Sequence, residues 1–184
     1  MTLTAAQGRM EDWQHLKEEI KKNAPAFGID KIGFASADPF FELKDRLQQQ
    51  REKGYESGFE EPDIEKRVYP ELTMPEAKSI ISVAVAYPSK LKPSPKSKPG
   101  AYRGIISRSA WGEDYHHVLK RRIRRLEQFI LERVPDAKMT SMADTGVLAD
   151  RAAAERAGIG WVGKNCSIIT PEWGSWVFLG EVIT

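Results

Sequence analysis

The chain has 184 residues and a formal net charge of +2 at pH 7. That length suits one ordinary domain, and the small charge argues against a surface built throughout for nucleic acid. No apolar run approaches the roughly 20 residues that span a bilayer, and residues 1–10 show no export-signal pattern. We therefore expect one cytoplasmic domain with no membrane partner.

The N-terminal third of the sequence predicts a helix, a strand and a second helix. Apolar residues recur at helical spacing over residues 10–23, with Pro25 just beyond. Residues 31–35 alternate polar and apolar side chains, as a short strand does. Asp38 and Pro39 then supply an N-cap and a first-turn proline for the second helix.

The middle of the sequence predicts one strand, one loop and one long helix. Residues 79–87 (SIISVAVAY) are apolar nearly throughout, which is typical of a central strand covered on both faces. Residues 90–98 (KLKPSPKSK) predict a solvated loop. From Asp114 a helical apolar period runs to just before Pro135, and the other face of this helix is strongly basic. That face is either simply solvated or a salt-sensitive contact for phosphates.

Shorter elements are predicted in the C-terminal third. A strand is predicted over residues 138–143, a helix over residues 147–157, and a hairpin that pairs residues 167–170 with residues 176–181. Strands and helices interleave without a regular strand-helix-strand rhythm and without a dinucleotide glycine fingerprint. The predicted fold class is therefore α+β, with a mixed β-sheet flanked by helices.

Asp144 is the first candidate for chemistry. It follows a predicted strand and precedes Thr145 and Gly146, a place where a carboxylate can point into a cleft from a rigid support. The alternative is that Asp144 merely caps the following helix by accepting backbone N–H groups. Arg151 falls on nearly the same helix face two turns further on, where it could hold an anion or Asp144.

Two segments rich in glycine and aromatic residues follow. Residues 158–165 (GIGWVGKN) combine three glycines, a tryptophan and two hydrogen-bonding side chains, and glycine lets backbone approach a bulky ligand closely. Their spacing fits neither phosphate-binding glycine pattern. Residues 173–176 (WGSW) form an aromatic-flanked turn that suits a flat cofactor, or else a hairpin with core tryptophans.

No metal site is predicted. Cys166 is the only cysteine, so it can neither form an internal disulfide nor hold a cluster alone, and we interpret it as a small buried side chain. His116 and His117 are adjacent and face different directions on a helix, which argues against a zinc site. A cobalt-ligating D-x-H-x-x-G signature is also rejected, because Leu119 stands where its glycine is required.

Several segments occur together in a fixed order, and the order is more specific than any one of them. They are residues 67–70 (RVYP), residues 107–116 (SRSAWGEDYH), Asp144-Thr145-Gly146 with Arg151, residues 158–165 (GIGWVGKN) and residues 174–181 (GSWVFLGE). Together they resemble the epoxyqueuosine reductases, a bacterial family that makes queuosine at the tRNA wobble position. The resemblance covers nearly the whole chain.

The resemblance implies roles for individual residues. Asp144 would donate a proton to the oxygen that leaves the epoxide. Arg151 and Tyr115 would face the modified nucleotide or support Asp144. The residues implied around the corrin of the cofactor are Arg67, Ser107, Asp144, Lys164, Asn165 and Ser167.

A fold, cofactors and a partner are implied as well. Residues 1–184 would form a nitroreductase-like cobalamin-binding domain, with no protein histidine on cobalt. The family reduces epoxyqueuosine in tRNA with cobalamin and two 4Fe–4S clusters, so the implied partner is the tRNA anticodon stem-loop, bound by a full-length monomer. The cysteine-rich motifs that hold those clusters are missing here. We therefore expect an incomplete piece that turns over poorly alone.

Two other functions remain open at this point. One is a corrinoid-binding or trafficking module without catalysis. The other is a flavin-dependent nitroreductase-like enzyme, since that fold more often hosts FMN, although fold analogy is weak evidence for function. Reduction assays and visible absorption distinguish these functions from the reductase.

Overall fold

The structure is a computed structural model that describes residues 5–89, 96–144 and 146–184, with side chains from residue 12 onward. The loop predicted at residues 90–98 falls mostly outside these ranges. In chain order the elements are α1 (Ala5–Phe27), β1 (Lys31–Ser36), α2 (Phe41–Glu52), α3 (Ile64–Val68), β2 (Ser79–Ala86), α4 (Tyr115–Leu131), β3 (Thr140–Met142), α5 (Asp150–Arg156), β4 (Trp161–Val162), β5 (Ile168–Ile169) and β6 (Val177–Ile183). No helix in these ranges is long and apolar enough to cross a membrane.

The main sheet has four strands in the order β1-β2-β6-β3, and every pairing in it is antiparallel. Ser82 of β2 lies opposite Gly33 of β1 on one side and opposite Glu181 of β6 on the other. The α+β class is therefore confirmed, while the predicted mixed sheet is wrong. An apolar strand such as β2 does not reveal its partners' direction, because helices on both faces bury an antiparallel strand as completely as a parallel one.

Successive residues of β2 face opposite sides of the sheet, and each side has its own helices. Ile81 and Val83 pack with α1 and α4, in a core that includes Ile20, Ile123, Leu126 and Val182. Ile80 packs on the other side with α2, α3 and α5, in a core that includes Leu47, Val68, Ala153 and Ile183. Residues 80–85 are all buried, which confirms the predicted central strand with two covered faces.

The first helix is longer than predicted. The predicted range, residues 10–23, lies inside α1, which also contains Pro25. A proline in the last turn removes only one backbone N–H from the helix. The chain leaves the helix at Gly28, whose φ of 81° is the left-handed conformation typical of helix ends. The side chain of Met10, where the predicted pattern begins, lies outside the described part.

The predicted cap of the second helix is wrong. Phe40 occupies the capping position of α2 and makes no side-chain cap. The backbone carbonyls of Asp38 and Pro39 instead accept hydrogen bonds from Arg156, at 3.1 Å for Pro39. The Arg156 guanidinium also lies 3.5 Å from the ring centre of Phe40. These contacts tie the segment before α2 to α5.

Other predicted elements agree with the structure to different degrees. α4 begins after the predicted cap, where the Asp114 carboxylate accepts from the backbone N–H of His116 at 2.9 Å. The predicted strand at residues 138–143 and the predicted helix at residues 147–157 are both present, as the shorter β3 and α5. The boundaries shift because these short elements are held by tertiary packing more than by their own propensity.

The predicted hairpin is wrong. β5 pairs with β4, and β6 lies in the sheet between β2 and β3. The two predicted arms are linked only by a tight turn, in which Thr170 and Gly174 exchange backbone hydrogen bonds of 2.8 and 3.0 Å. β6 has apolar side chains on both faces, so it is buried more completely inside the sheet than as one arm of an exposed hairpin.

A substitution at Gly33 tests how closely α5 packs on the sheet. A Cβ built at this position lies 2.1 Å from the backbone carbonyl oxygen of Ala157, so Gly33→Ala forces α5 and β1 apart. We expect this change to lower the free energy of unfolding by about 1–3 kcal/mol, measured by urea denaturation. Gly104→Ala is the control, since a Cβ there meets nothing within 4 Å. Equal unfolding midpoints for the two variants would contradict the packing described here.

Candidate functional site

A cleft of about 910 Å³ opens where β6 begins, and we call it the β6 cleft. Apolar side chains of β6 form part of its wall, and titratable or hydrogen-bonding side chains from several other segments form the rest. The apolar part comprises Val177, Phe178 and Leu179, and the polar part includes Arg67, Tyr115, Asp144, Asp150, Arg151, Ser167 and Ser175. Five of the residues predicted from sequence therefore meet in one cleft: Arg67, Tyr115, Asp144, Arg151 and Ser167.

Asp144 lies after β3 in a left-handed backbone conformation, with φ of 59°. Its side chain is 57% exposed, and one carboxylate oxygen accepts a hydrogen bond from the hydroxyl of Tyr115. Nε2 of His116 lies 3.5 Å from the same oxygen. Thr145, the next residue, lies outside the described part. The carboxylate thus faces the cleft while two side chains of α4 hold one of its oxygens.

The helix-cap interpretation of Asp144 is wrong. α5 begins at Asp150, and its capping residue is Ala149. Asp144 is therefore six residues ahead of the helix that it was expected to cap. Asp144 has a backbone conformation that few non-glycine residues adopt. Its carboxylate does not cap a helix and can therefore contact a ligand in the cleft.

Four aromatic rings form a stack along one side of the cleft. The Tyr115 ring lies between His116 at 4.0 Å and Phe178 at 4.2 Å, and Phe178 also stacks on Tyr87 at 4.2 Å. Burial raises the pKa of the Tyr115 phenol, and the hydrogen bond to Asp144 raises it further. The phenol therefore stays protonated at physiological pH and donates its hydrogen to Asp144.

His116 is itself held from the other side. Its Nδ1 lies 2.7 Å from a carboxylate oxygen of Asp114, the cap of α4. The hydrogen bond from this histidine holds the pKa of Asp114 below its usual range, and the backbone N–H of the same residue lowers it further. The chain Asp114–His116–Asp144 therefore ties the start of α4 to the end of β3.

Two arginines lie on the cleft wall. Arg67 comes from the short helix α3 and is half-buried, and this burial lowers the pKa of its guanidinium. Arg151, in the first turn of α5, donates to the backbone carbonyl of Cys166. Between Arg151 and Asp144 there is no hydrogen bond or ion pair in the described parts of the chain. Both arginines keep their positive charge, so the cleft offers cations beside an exposed carboxylate.

Three other predicted residues lie beside the cleft and not on its wall. Oγ of Ser107 is 2.8 Å from Oγ of Ser109, which does line it. The amide of Asn165 accepts from the backbone N–H of Ser167 at 3.2 Å. Lys164 is exposed and is not among the lining residues. The prediction that all of these side chains surround one bound group is supported least by the position of Lys164.

Cys166 corrects another prediction. The side chain is exposed and lines the cleft, whereas the sequence suggested a buried one. Its φ of 60° places it in a turn between β4 and β5. A cysteine fits both a hydrophobic core and an exposed turn. Sequence composition does not distinguish a buried cysteine from an exposed one.

The basic face of α4 is partly engaged within the protein. Arg121 forms an ion pair with Glu113, with one N–O distance of 2.8 Å. Arg122 donates to the backbone carbonyl of Gly28 and lies 4.0 Å from Asp30. These contacts engage two of the five basic residues, and the phosphate contact that the sequence left open stays a prediction for the exposed Lys120, Arg124 and Arg125.

A second carboxyl group lies next to the site and was not predicted. Glu181 of β6 is fully buried, and neither of its carboxyl oxygens finds a donor among the described residues. Asp150, the first residue of α5, interacts electrostatically with Glu181 and lines the cleft. The only signal was a lone glutamate inside the apolar run of residues 177–183, which predicts a buried carboxyl.

The environment of this pair favours a shared proton. Burial raises the pKa of Glu181 well above its ordinary value, and the negative charges of Asp150 and Asp144 add to the rise. Burial also raises the pKa of Asp150, while its interaction with Glu181 opposes that rise. Two ionised carboxylates repel each other, so burial of the pair favours a proton on one of them, and the more buried Glu181 is the one that keeps it.

Glu181 makes the stability of the fold depend on pH. Its pKa is higher in the folded chain than in the unfolded chain, so its contribution is fully present below the unfolded pKa and is lost as pH rises towards the folded one. Glu181→Gln is neutral at every pH and removes this dependence. Between pH 5 and pH 8 we expect wild type to lose stability relative to the variant by up to about 1.4 kcal/mol per pH unit, measured by urea unfolding.

Glu172→Gln is the matched control, because Glu172 is exposed and paired with Lys31 at 2.8 Å. Its stability should follow that of wild type in this range. A constant difference between wild type and Glu181→Gln at all pH values would show that Glu181 is ionised in the fold.

The fold and the cleft together define an α+β domain with an acid-bearing site for a large, partly apolar ligand. Comparison with known proteins identifies a matching family and similar proteins. Residues 67–145 match the family described as epoxyqueuosine reductase QueG, DUF1730. The chain is 61% identical over 173 residues to the epoxyqueuosine reductase of Bacillus cereus, an alignment that covers 94% of this chain and 46% of that protein.

Solved structures agree with this result. One is an epoxyqueuosine reductase with an epoxyqueuosine-modified tRNA-Tyr stem loop, which is 55% identical with a TM-score of 0.87 over 92% of this chain and 45% of that one. Another, from Bacillus subtilis, has a catalytic aspartate loop swung out of the active site; it is 52% identical, with a TM-score of 0.83 over the same shares. The predicted resemblance to epoxyqueuosine reductases is therefore confirmed, and the chain spans about half the length of the curated relatives it matches.

Proposed function

We propose that this chain is the cofactor- and substrate-binding part of an enzyme that reduces epoxyqueuosine to queuosine in tRNA, the last step of queuosine biosynthesis, with cobalamin as its cofactor. The observation that carries the proposal is the placement of Asp144. Its carboxyl is exposed to the β6 cleft and held by Tyr115 and His116, in a chain whose relatives are epoxyqueuosine reductases. A cytoplasmic location is part of this proposal, because the proposed substrate is tRNA.

Asp144 is the proposed acid. Opening an epoxide leaves negative charge on its oxygen, and a positioned carboxylic acid removes this charge by donating a proton. Tyr115 donates to one oxygen of Asp144, which leaves the other oxygen to carry and deliver the proton. In this arrangement Tyr115 supports the acid, and Arg151 lies at the cleft wall where the anionic nucleotide would enter.

The β6 cleft fits a corrin in its size and in the chemistry of its wall. Its volume of about 910 Å³ lies at the upper end of the range for bound cofactors. Val177, Phe178 and Leu179 suit the apolar ring, while hydroxyl and guanidinium groups suit its amide side chains. The residues that would hold it are Arg67, Ser107, Asp144, Lys164, Asn165 and Ser167. Cobalamin supplies low-potential cobalt chemistry when it is bound.

Iron–sulfur clusters do not fit this chain. Cys166 is its only cysteine, and the described residues contain no group of three or more His, Cys, Asp or Glu side chains that could hold a metal ion. Tests of the chain therefore use a chemical reductant in place of such clusters. We propose a nitroreductase-like fold for this domain together with the cobalamin cofactor.

A second groove supports tRNA as the partner. It has a volume of about 1130 Å³ and shares Arg67, Asp144 and Arg151 with the β6 cleft. Arg46 and Arg156 extend its wall away from the cleft. Four acidic residues, Glu42, Glu60, Asp144 and Glu155, line the same groove, so the proposed phosphate contacts are confined to the individual arginines, and such contacts weaken as salt concentration rises.

Asp144→Asn tests the assignment of the acid. The purified chain is mixed with cobalamin, its absorption spectrum is followed for a base-off shift, and one turnover is then measured with titanium(III) citrate and an epoxyqueuosine stem-loop. We expect both proteins to bind cobalamin, and the rate of queuosine formation to fall about 10²- to 10⁴-fold in the variant, because the general acid is lost. Asp136→Asn, an exposed aspartate away from the cleft, is the control.

An unchanged spectrum with wild type would contradict the cobalamin proposal. A flavin spectrum in the purified chain would favour the nitroreductase-like alternative. Binding without reduction in either protein would favour the corrinoid-binding or trafficking module.

Tyr115→Phe tests the support of Asp144 separately. The phenylalanine ring preserves the stack on Phe178 and removes only the hydroxyl that donates to Asp144. A hydrogen bond to a charged group contributes about 1.5–3 kcal/mol, so we expect the single-turnover rate to fall at least about tenfold while cobalamin affinity stays the same. A wild-type rate would show that Tyr115 does not position the acid.

A further inference from the structure

The buried carboxyl pair lies directly behind the proposed acid. Glu181 is in the centre of β6, opposite Ser82 of β2 and Met142 of β3. The Ser82 hydroxyl on that same side of the sheet is also buried and without a partner among the described residues. Asp150 stands between this interior and the cleft, since it approaches Glu181 and also lines the cleft wall that carries Asp144.

The pair has no structural task that requires a carboxyl group. Glu181 forms no ion pair in the described part of the chain, and its carboxyl oxygens have no hydrogen-bond partner there. An amide or an apolar side chain of similar size would fill the same space at lower cost, because an ionised carboxylate in a dry interior is strongly disfavoured. An unpaired buried acid next to a cleft is typical of a group kept for proton chemistry.

The stoichiometry of the proposed reaction requires two protons at one oxygen. Converting an epoxide to an alkene and water consumes two electrons and two protons. The first proton opens the ring and leaves a hydroxyl group, and the second turns that hydroxyl into departing water. Asp144 carries one proton, so it must be protonated again before the second transfer.

We propose that Asp150 and Glu181 share one proton and pass it to Asp144 between these two transfers. This inference rests on the proposed function. The proton of the pair passes from Glu181 to Asp150 and from Asp150 to the Asp144 carboxylate, and solvent in the cleft later protonates the pair again. No electron moves in this relay, and the two electrons come from the low-potential reductant. The other groups that act on the pair are Asp144 and, on the Asp150 side, the positive charge of Arg151.

Infrared spectroscopy of the chain tests the shared proton without any cofactor. At pH 7 we expect wild type to show a carboxylic-acid carbonyl band above the amide I region, and Glu181→Gln to lack it. Glu172→Gln, which changes an exposed and ion-paired glutamate, should keep the band. If wild type has no such band, or if the band survives in Glu181→Gln, the pair does not hold a proton and the inference is overturned.

The kinetic test uses the stem-loop, cobalamin and titanium(III) citrate. We expect Glu181→Gln to make queuosine about 10- to 100-fold more slowly than wild type at pH 8, since one proton source is lost. At pH 6 the difference should shrink, because the higher proton concentration in solvent replaces the missing proton source. Glu181→Asp, which retains an acid, should recover part of the rate at pH 8. A merely structural Glu181 would instead give a loss that does not depend on pH.

The two proposals fail in different ways. If Glu181→Gln lacks the infrared band but matches the wild-type rate at every pH, the relay is overturned and the proposed function stands. If wild type shows the band and forms no queuosine, the proposed function is contradicted and the shared proton is supported.

Discussion

The pairing of β2 with β6 is the constraint on which the rest of the structure depends. It runs in continuous register from Ile80 opposite Ile183 to Ala86 opposite Val177. This register places Phe178 on the face covered by α4 and Glu181 on the face covered by α5. A shift by one residue would exchange the two faces, exposing the apolar set and removing Phe178 from the aromatic stack.

The site is assembled from segments that this pair of strands brings together. β3 joins the outer edge of β6 and ends just before Asp144, while α4 packs against β6 and presents Tyr115 at its first turn. The hydrogen bond between Tyr115 and Asp144 closes the connection between them. The acid is therefore held by two elements that are fixed in the same core, although its own backbone conformation is uncommon. Pre-organisation of this kind is what general acid catalysis needs.

The sequence predicted what depends on local pattern. The buried run of β2, the short β1 and the capped α4 follow from hydrophobic periodicity and from the Asp114 cap. Prediction from the sequence failed where tertiary contacts determine the structure. Strand direction, the place of β6 inside the sheet and the contacts of Arg156 with the segment before α2 involve residues far apart in the chain.

The same division holds within the site. Position in the sequence made Asp144 and Arg151 candidates, the family resemblance added Tyr115, Arg67 and Ser167, and all five share the cleft. From residue chemistry alone Asp144 would have remained a helix cap, because nothing local shows that α5 begins six residues later. Asp150 was missed because an aspartate at a helix start is ordinary, and its importance appears only when β6 brings Glu181 beneath it.

The most direct test of the account is a structure of this chain with cobalamin and an epoxyqueuosine stem-loop, in which the distance from Asp144 to the epoxide oxygen is measured. We expect cobalamin to lie in the β6 cleft against Phe178. We also expect a carboxyl oxygen of Asp144 to lie about 2.6–3.2 Å from the epoxide oxygen. Cobalamin or the modified nucleotide bound outside the cleft, with Asp144 still held by Tyr115 and facing empty solvent, would contradict it.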